Sequence, residues 1–417
     1  MTRIRTLTLG LVCVVALTSH VMGATGQVGT CLKNITKLGS SIQNAVNALP
    51  PHSTLFVCPG TYPEQVKVTQ PITINGVKDP NSTADAAVIA APSGGIVANT
   101  TSLATGAPIA AQLVVDTPGD PVNINNLTVD GSNNQIAGCA PDLIGIYYRN
   151  ASGMANEVNA INQALSTPLN GCQSGLGIFV QSGTPLTSTV TVKNSYVANY
   201  QKNGITGNEV GTTLTSSSNT VFGQGPTTGA AENGIQFGFG AAGSANSNTV
   251  MDNVYSPGGN AAAAGILVYA SASVSVMSNT VGNSQLGISF DSDATYGSAD
   301  GGNIVGNRVS ATHLFDGIDL CSNSNTVHNN TIIGSDESAV HLDSACGTTT
   351  GSTNTVTNNV INDSCAGILE DPGTTNTVTS NVFHNVTNTI AIGPTCTTPP
   401  SGRRSEKQVL TPNPVRP

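Results

Sequence analysis

The sequence predicts an all-β solenoid, one domain of short parallel strands stacked rung on rung, on three observations. A phrase of glycine, β-branched residue, variable residue and apolar residue recurs at Gly177-Ile178-Phe179-Val180, Gly234-Ile235-Gln236-Phe237, Gly265-Ile266-Leu267-Val268, Gly287-Ile288-Ser289-Phe290 and Gly317-Ile318-Asp319-Leu320, with Gly367-Ile368-Leu369 as a further copy. Looser copies start at Gly145, Gly204 and Ala339, so successive starts are spaced by 32, 27, 30, 31, 22, 30, 22 and 28 residues, the period of a solenoid rung. A second phrase, Asn-Thr-Val or Asn-Ile-Val, recurs out of phase at Asn219, Asn248, Asn279, Asn303, Asn325, Asn354 and Asn376, which gives each rung at least two strands. The third observation is composition: charged residues make up 9 % of the chain and Trp is absent, as suits polar-turned sheets rather than helices. The repeated asparagines are read as structural, because Asn tolerates left-handed backbone at corners and identical Asn side chains hydrogen-bond up a stack.

The first residues have the form of a secretory leader: Arg3 and Arg5, an apolar stretch from Leu7 to Leu17, and a small-residue cleavage site at Val21-Met22-Gly23. Residues 1–23 are therefore expected to be removed and the mature chain exported, to the periplasm or beyond. Val12 before Cys13 argues against a lipoprotein anchor, and no later segment reaches the roughly 18 apolar residues of a membrane span. Residues 40–49 place Ile42, Ala45, Val46 and Leu49 at helical spacing, with Ser40 or Ser41 as N-cap and Pro50-Pro51 as a stop. One amphipathic helix is expected there, covering the open N-terminal end of the stack. Strands follow at Thr54 to Cys58, Glu64 to Val68 and Ile72 to Asn75. Between Arg149 and Gly175, the partial helical spacing of Val158, Ile161 and Leu165 predicts an insertion folded over one face. The domain is taken as 24–396, and the Pro-, Arg- and Lys-rich tail, 397–417, is expected to be disordered.

Eight of the nine cysteines lie after the leader, and an even number in an oxidising compartment predicts disulfides. Sequence neighbours fall about one rung apart, so the expected pairs are Cys31 with Cys58, Cys139 with Cys172, Cys321 with Cys346 and Cys365 with Cys396. No pair has the spacing of a zinc site. Acidic residues number 23 against 14 basic, and loss of Arg3 and Arg5 moves the formal charge from -9 to -11, which excludes nucleic acid as a natural partner.

The stretch SIQNAVNALPPHSTLFVCPGTYPEQVKVTQPITINGV resembles the opening of right-handed parallel β-helix proteins of the pectin-lyase-like superfamily. It is similar in particular to the start of pectinesterases and of the periplasmic β-helix family associated with nitrous oxide reductase maturation. VNINNLTVDG, from Val122 to Gly131, resembles the first regular rung of the same superfamily. The resemblance, with the repeats, covers residues 40 to about 395 and implies a single-stranded right-handed parallel β-helix with an N-terminal capping helix. For activity it implies a range, since the superfamily spans lyases, hydrolases, esterases, epimerases and proteins without known chemistry. The Gln-Asp, Asp-Phe and Gly-Arg-Pro-Trp elements of pectinesterases are missing, as are the Asn-Thr-Asp, Asp-Asp and Gly-His-Gly motifs of polygalacturonase-like hydrolases. Lyases use a strong base, for which the rungs offer Arg149, Lys193, Lys202 and Arg308.

In each Gly-Ile-x-Leu strand the Ile and Leu face inward, while x and the residue two further on face outward. One outward column therefore runs Tyr147, Phe179, Thr206, Gln236, Leu267, Ser289, Asp319, His341 and Leu369. The other runs Arg149, Gln181, Asn208, Gly238, Tyr269, Asp291, Cys321, Asp343 and Asp371. Rungs lie about 4.8 Å apart, so Asp319 and His341 are expected as neighbours and Asp291 and Asp343 about 10 Å apart, close to the separation of an inverting glycosidase pair. Asp291, Asp319, His341 and Asp343 are thus the candidate catalytic residues. One carboxylate would protonate the leaving oxygen, another would activate water, and His341 would orient them. Tyr147, Phe179 and Tyr269 are candidate flat surfaces for sugar rings and Arg149 a candidate carboxylate clamp. Asp291, Asp293 and Asp300 match no calcium loop, and no metal or cofactor is expected.

Two functions fit. One is a carbohydrate-active enzyme, a polysaccharide hydrolase in preference to a lyase or pectinesterase. The other is a non-catalytic surface or matrix protein that binds glycans or serves as a rigid rod, its outward acids merely solvated. In both the partner is a polysaccharide or cell-surface glycan and the protein is expected as a monomer.

Overall fold

A computed structural model describes residues 23–393 except 79–86, 166–168, 257–260, 313–314 and 345–349, together with the backbone of Thr411–Pro412. The leader lies outside the described residues, as does nearly all of the tail. The rungs build three long sheets of 14, 12 and 13 strands, parallel throughout except for the short Thr100–Thr101 strand, which pairs antiparallel at the side of the third. Three strands per rung, one more than the two phrases require, enclose a triangular core. Inward columns such as Ile146, Ile178, Ile205, Ile235, Ile266, Ile288, Ile318, Val340 and Ile368 are all fully buried. Each such side chain stabilises the fold by about 1.5–3 kcal/mol relative to exposure.

The Gly-Ile phrase forms the third sheet, and its register is the one the spacing requires. Ile205 pairs with Ile235, Ile235 with Ile266, Ile266 with Ile288, Ile288 with Ile318 and Ile318 with Val340. The glycine is demanded by close approach. A Cβ on Gly234 would sit 2.2 Å from Val250 Cγ1 and 2.6 Å from the Gly265 carbonyl, and Gly265 stands in the same relation to Val281. Pairing skips the glycine, as in Asn203 with Asn233 and then Ile205 with Ile235, so strict alternation breaks there. Asn203 and Thr206, three apart, consequently share the outer face and are joined by a 3.0 Å hydrogen bond.

The asparagine phrase divides into two columns rather than the single one expected, and Asn303 stands in neither, pairing with Thr326 one position past the ladder. Asn219, Asn248, Asn279, Asn307, Asn330, Asn359 and Asn381 form a ladder leading into the second sheet, each Oδ1 accepting from the previous rung's backbone N–H at 2.8–3.0 Å. Asn325, Asn354 and Asn376 form another at the first sheet. The two are confused in sequence because both corners are followed by a strand with an apolar residue two positions on. The left-handed residue is also not the ladder asparagine but the one before it, such as Ser218, Ser247, Ser278, Asn329 or Asn358.

The helix spans Ile42–Ala48, and Ser41 Oγ accepts from Asn44 N at 3.2 Å. Ile42, Ala45 and Val46 close the N-terminal end of the core. The stretch after Arg149 contains no helix among its described residues. Gly153–Asn156 and Asn159–Ile161 are strands of an ordinary rung, and Val158 is buried in the core. Cys31 pairs with Cys58 and Cys139 with Cys172, as expected from rung spacing. Cys321 and Cys365 are also disulfide-bonded, whereas Cys346 and Cys396 lie outside the described residues. Thr411–Pro412 pairs in parallel with Ala261–Ala262, just before the third-sheet strand Ala264–Tyr269.

Candidate functional site

The outer face of the third sheet carries both columns in the expected register. Ser289 pairs with Asp319, Asp319 with His341, Tyr269 with Asp291 and Asp291 with Cys321. Asp343 N then donates to Leu320 O and Asp371 N to Leu342 O, which extends the Asp291 column across two more rungs. The four candidate acid–base residues therefore gather at the C-terminal end of one face, but that face is not an open, solvated surface. Asp291 is 4 % exposed and Asp319 8 %.

His341 is the centre of the cluster. Its Nδ1 lies 3.2 Å from Asp316 Oδ2 and 4.0 Å from Asp319 Oδ1, and its Nε2 lies 3.6 Å from Asp371 Oδ1. Burial would lower the imidazole, but Asp316 and the bond to it, the close contact with Asp371 and the charge of Asp319 together hold it well above its ordinary value. The close contact with His341 holds Asp371 well below the usual carboxylate range against the effect of burial, helped by Ser344 N and Oγ. Asp316 is fixed by Ser338, whose N and Oγ donate to Asp316 Oδ1 at 3.0 and 2.5 Å.

The other acids move the opposite way. Burial, reinforced by Asp343 and Asp293, pushes Asp291 up to about 8. Burial also raises Asp319 well above its ordinary value; the charge of His341 opposes this, while Asp343, Asp316 and Asp291 add to it. Ser289 Oγ donates to Asp319 Oδ2 at 3.3 Å, and Asp319 Oδ1 is buried with no hydrogen-bond partner. Glu337 is pushed up to about 8 by burial and by Asp316. The site thus holds carboxylic acids protonated at neutral pH beside a carboxylate kept ionised by an imidazolium, an arrangement suited to general acid–base chemistry.

The four candidate substrate contacts do not join this cluster. Tyr147 and Phe179 stack on each other at 5.0 Å and are fully buried with Ile109, Val114 and Leu176. Thr100–Thr101 pairs antiparallel with Pro108 and Ile109, and Leu103 N bonds Gln181 Oε1, so the 99–109 hairpin covers this part of the face. Neither ring offers a face to a sugar. Arg149 is engaged by Asp116 at 3.4 Å and by the Thr101 carbonyl, and lies five rungs from Asp291 in its own column. Tyr269 packs edge-on to Phe239, and its hydroxyl donates to Asp293 Oδ2 at 2.5 Å. The exposed ring beside it is Tyr296, 45 % exposed. Asp316, Glu337 and Ser338 were not among the expected residues. Their signal in the sequence is a polar residue at or beside the position before the rung glycine.

A family model described as periplasmic copper-binding protein (NosD) matches residues 239–395. The likeness to the nitrous-oxide-reductase-associated family thus falls on the C-terminal rungs, not on the N-terminal stretch that suggested it. No curated protein matches in sequence. Among solved structures, the chain is similar to the GH136 lacto-N-biosidase of Eubacterium ramulus, with 11 % identity and a TM-score of 0.53 over 87 % of this chain and 68 % of that one. It is also similar to the periplasmic alginate epimerase AlgG, with 13 % identity and a TM-score of 0.48 over 84 % and 82 %. The fold is a right-handed parallel β-helix. Likeness at these identities extends to the fold alone.

Copper does not fit the residues present. Among the described residues, the groups close enough to hold a cation are Asp316, Asp319 and His341, or His341, Asp343 and Asp371. Each set offers one imidazole among carboxylates, whereas copper sites draw on several imidazole or sulfur donors, and Cys321 and Cys365 are committed to disulfides. No described helix is long and apolar enough to cross a membrane.

Proposed function

We propose that this β-helix is an exported polysaccharide hydrolase whose site is the Asp/His cluster of the third sheet. The observation that carries the proposal is Asp319, a buried carboxyl group that burial holds well above its ordinary value, with an oxygen that has no hydrogen-bond partner, one rung from His341. Asp319 would donate its proton to the glycosidic oxygen, and Asp291 would be the second acid of the same face. Asp343, one position beyond the strand Ser338–Leu342 and less buried, would take the proton of the attacking water. His341 would hold Asp371 ionised and so fix the polarity of the site. A glycosidase among the structural neighbours lends support only as a fold-level analogy. The leader-like N-terminus and the disulfides support export.

The test is reducing-end release from a polysaccharide panel by the mature protein, beside an Asp319→Asn, His341→Ala double variant. Release by the parent and not by the variant supports the hydrolase. Silence across the panel with retained pull-down on insoluble glycans moves the assignment to a non-catalytic glycan-binding rod.

A further inference from the structure

The turn after Asp291 holds a tyrosine ring in solvent beside the acid column. Asp293 and Gly297 exchange backbone hydrogen bonds at 2.8 and 3.0 Å, and Asp293 Oδ1 accepts from Thr295 N at 2.6 Å and from Tyr296 N at 3.0 Å. Asp293 Oδ2 accepts from the Tyr269 hydroxyl, so one carboxylate ties this turn to the strand Ala264–Tyr269. The Tyr296 ring stands edge-on to Phe239 at 5.0 Å and lies 6.4 Å from Tyr269, which itself meets Phe239 at 5.3 Å. Phe239 and Tyr269 are buried and form a pedestal, whereas Tyr296 is exposed. Phe239 takes its place with a φ of 57°, a left-handed backbone that bulky residues avoid and that gathers at functional sites. We propose that Tyr296, on its Phe239–Tyr269 pedestal, is a stacking subsite for a neutral pyranose of a glycan that runs along the solenoid axis toward the acid cluster. The inference rests on the carbohydrate reading of the same face and names the class of sugar that reading leaves open.

Position and chemistry support the occupant. Tyr269 pairs with Asp291 on the next rung, and the strands of Asp319 and His341 lie two and three steps from that of Tyr269 in the same sheet. At about 4.8 Å per step, Asp319 is roughly 10 Å and His341 roughly 14 Å along the axis from the pedestal, within the span of one oligosaccharide seated on the ring. A tyrosine pinned in place offers flat, amphipathic area and gives up little rotamer freedom on binding, so its face takes the C–H side of a sugar while the sugar hydroxyls stay in water. Among the described residues, Tyr296 is the exposed aromatic side chain beside the third sheet; the other exposed tyrosine, Tyr196, belongs to the second. A uronate carries the wrong charge for this face. The chain has a formal charge of -9, Asp293 stands under the turn, and Asp343 and Asp371 continue the Asp291 column.

The test is nitration by tetranitromethane, read by peptide mass at Tyr296 and at Tyr196, whose exposures of 45 % and 42 % make the second an internal reference. The mature protein is nitrated alone and with an excess of cellohexaose, xylohexaose or mannohexaose, and with hexagalacturonate as the charged comparison. The expected result is a severalfold slower nitration of Tyr296 with at least one neutral hexasaccharide, none with hexagalacturonate, and no change at Tyr196. The Tyr296→Ala variant should lose about tenfold in affinity for the protecting sugar by calorimetry, the scale of one aromatic contact, while Tyr296→Phe, which keeps the ring, should retain it. Protection by hexagalacturonate alone overturns the neutral class. Cleavage of the same sugars is measured on the same preparations, which separates the two readings. Protection of Tyr296 without cleavage supports the subsite and moves the protein to a non-catalytic glycan binder. Cleavage with equal nitration rates, and with Tyr296→Ala as active as the parent, overturns the subsite and leaves the hydrolase standing. Neither protection nor cleavage overturns both.

Discussion

His341 Nδ1 lies 3.2 Å from Asp316 Oδ2, a contact between adjacent rungs whose two residues are 25 positions apart in sequence. Asp316 is itself pinned by Ser338, so the imidazole meets a carboxylate that cannot turn away. Two consecutive rungs thus assemble a charge pair that neither contains alone.

Replacing Asp316 by Asn should remove the strongest support for the imidazolium. The expected outcome is a lower His341 pKa by NMR titration with an unchanged circular dichroism spectrum. An Asp316→Glu variant, which keeps the charge, should restore part of the shift, a result that a merely structural role would not produce.

Stability should fall as pH rises from about 5 to 8. Asp291 and Glu337 are both pushed up to about 8, so across this window the folded state binds protons that the unfolded state, with ordinary carboxyl values, has released. Charging these groups in the fold is therefore resisted, and their contribution is lost on the alkaline side. Asp371 works in the opposite sense, since its depressed value contributes stability above the ordinary carboxylate pKa that is lost only on further acidification. Urea midpoints measured from pH 5 to 8 should decline, and Asp291→Asn should flatten the slope.

Asn279 is the third residue of the seven-residue ladder. Its Nδ2 donates to the Ala245 carbonyl at 2.9 Å, and its Oδ1 accepts from Asn248 N at 2.9 Å. Asn279→Ala leaves a buried N–H and a buried carbonyl unpaired, a loss of about 1–3 kcal/mol for each group. Chemical denaturation should show a destabilisation of that order, whereas the same change at the partly exposed end, Asn381, should cost less.

Gly234→Ala places a methyl group 2.2 Å from Val250 Cγ1. Overpacking of this kind costs about 1–3 kcal/mol, and more where backbone blocks relaxation, as the Gly265 carbonyl does here. The double variant Gly234→Ala, Val250→Ala should recover part of the loss. Additive costs in a double-mutant cycle would show that the contact is not the cause.

Strand register was legible in the sequence because a slip of one residue would turn every Ile of the Gly-Ile phrase out of the core, so Asp319 had to neighbour His341 and Asp291 had to share a column with Asp343. The capping helix was legible from its period and its serine cap, and the two pairings Cys31 with Cys58 and Cys139 with Cys172 from the rung length. Asp316 was not, because strict alternation places it on the opposite face from Asp319. Only the break at Gly317, required by the close approach of Ile332 and of the Ala339 carbonyl, brings both acids to one imidazole.

The division follows from the range of the forces. Periodicity and alternation are local and act on every rung alike, and they determined the stack, the inward and outward sets and the order of the columns. Burial is not local. The 99–109 hairpin removes Tyr147 and Phe179 from solvent and Asp116 occupies Arg149, contacts between segments that no repeat encodes. The same is true of charge in the cluster: Asp319, Asp291 and Asp371 are the same residue type on the same face, and which of them keeps its proton was decided by how deeply each is buried and how near it stands to His341.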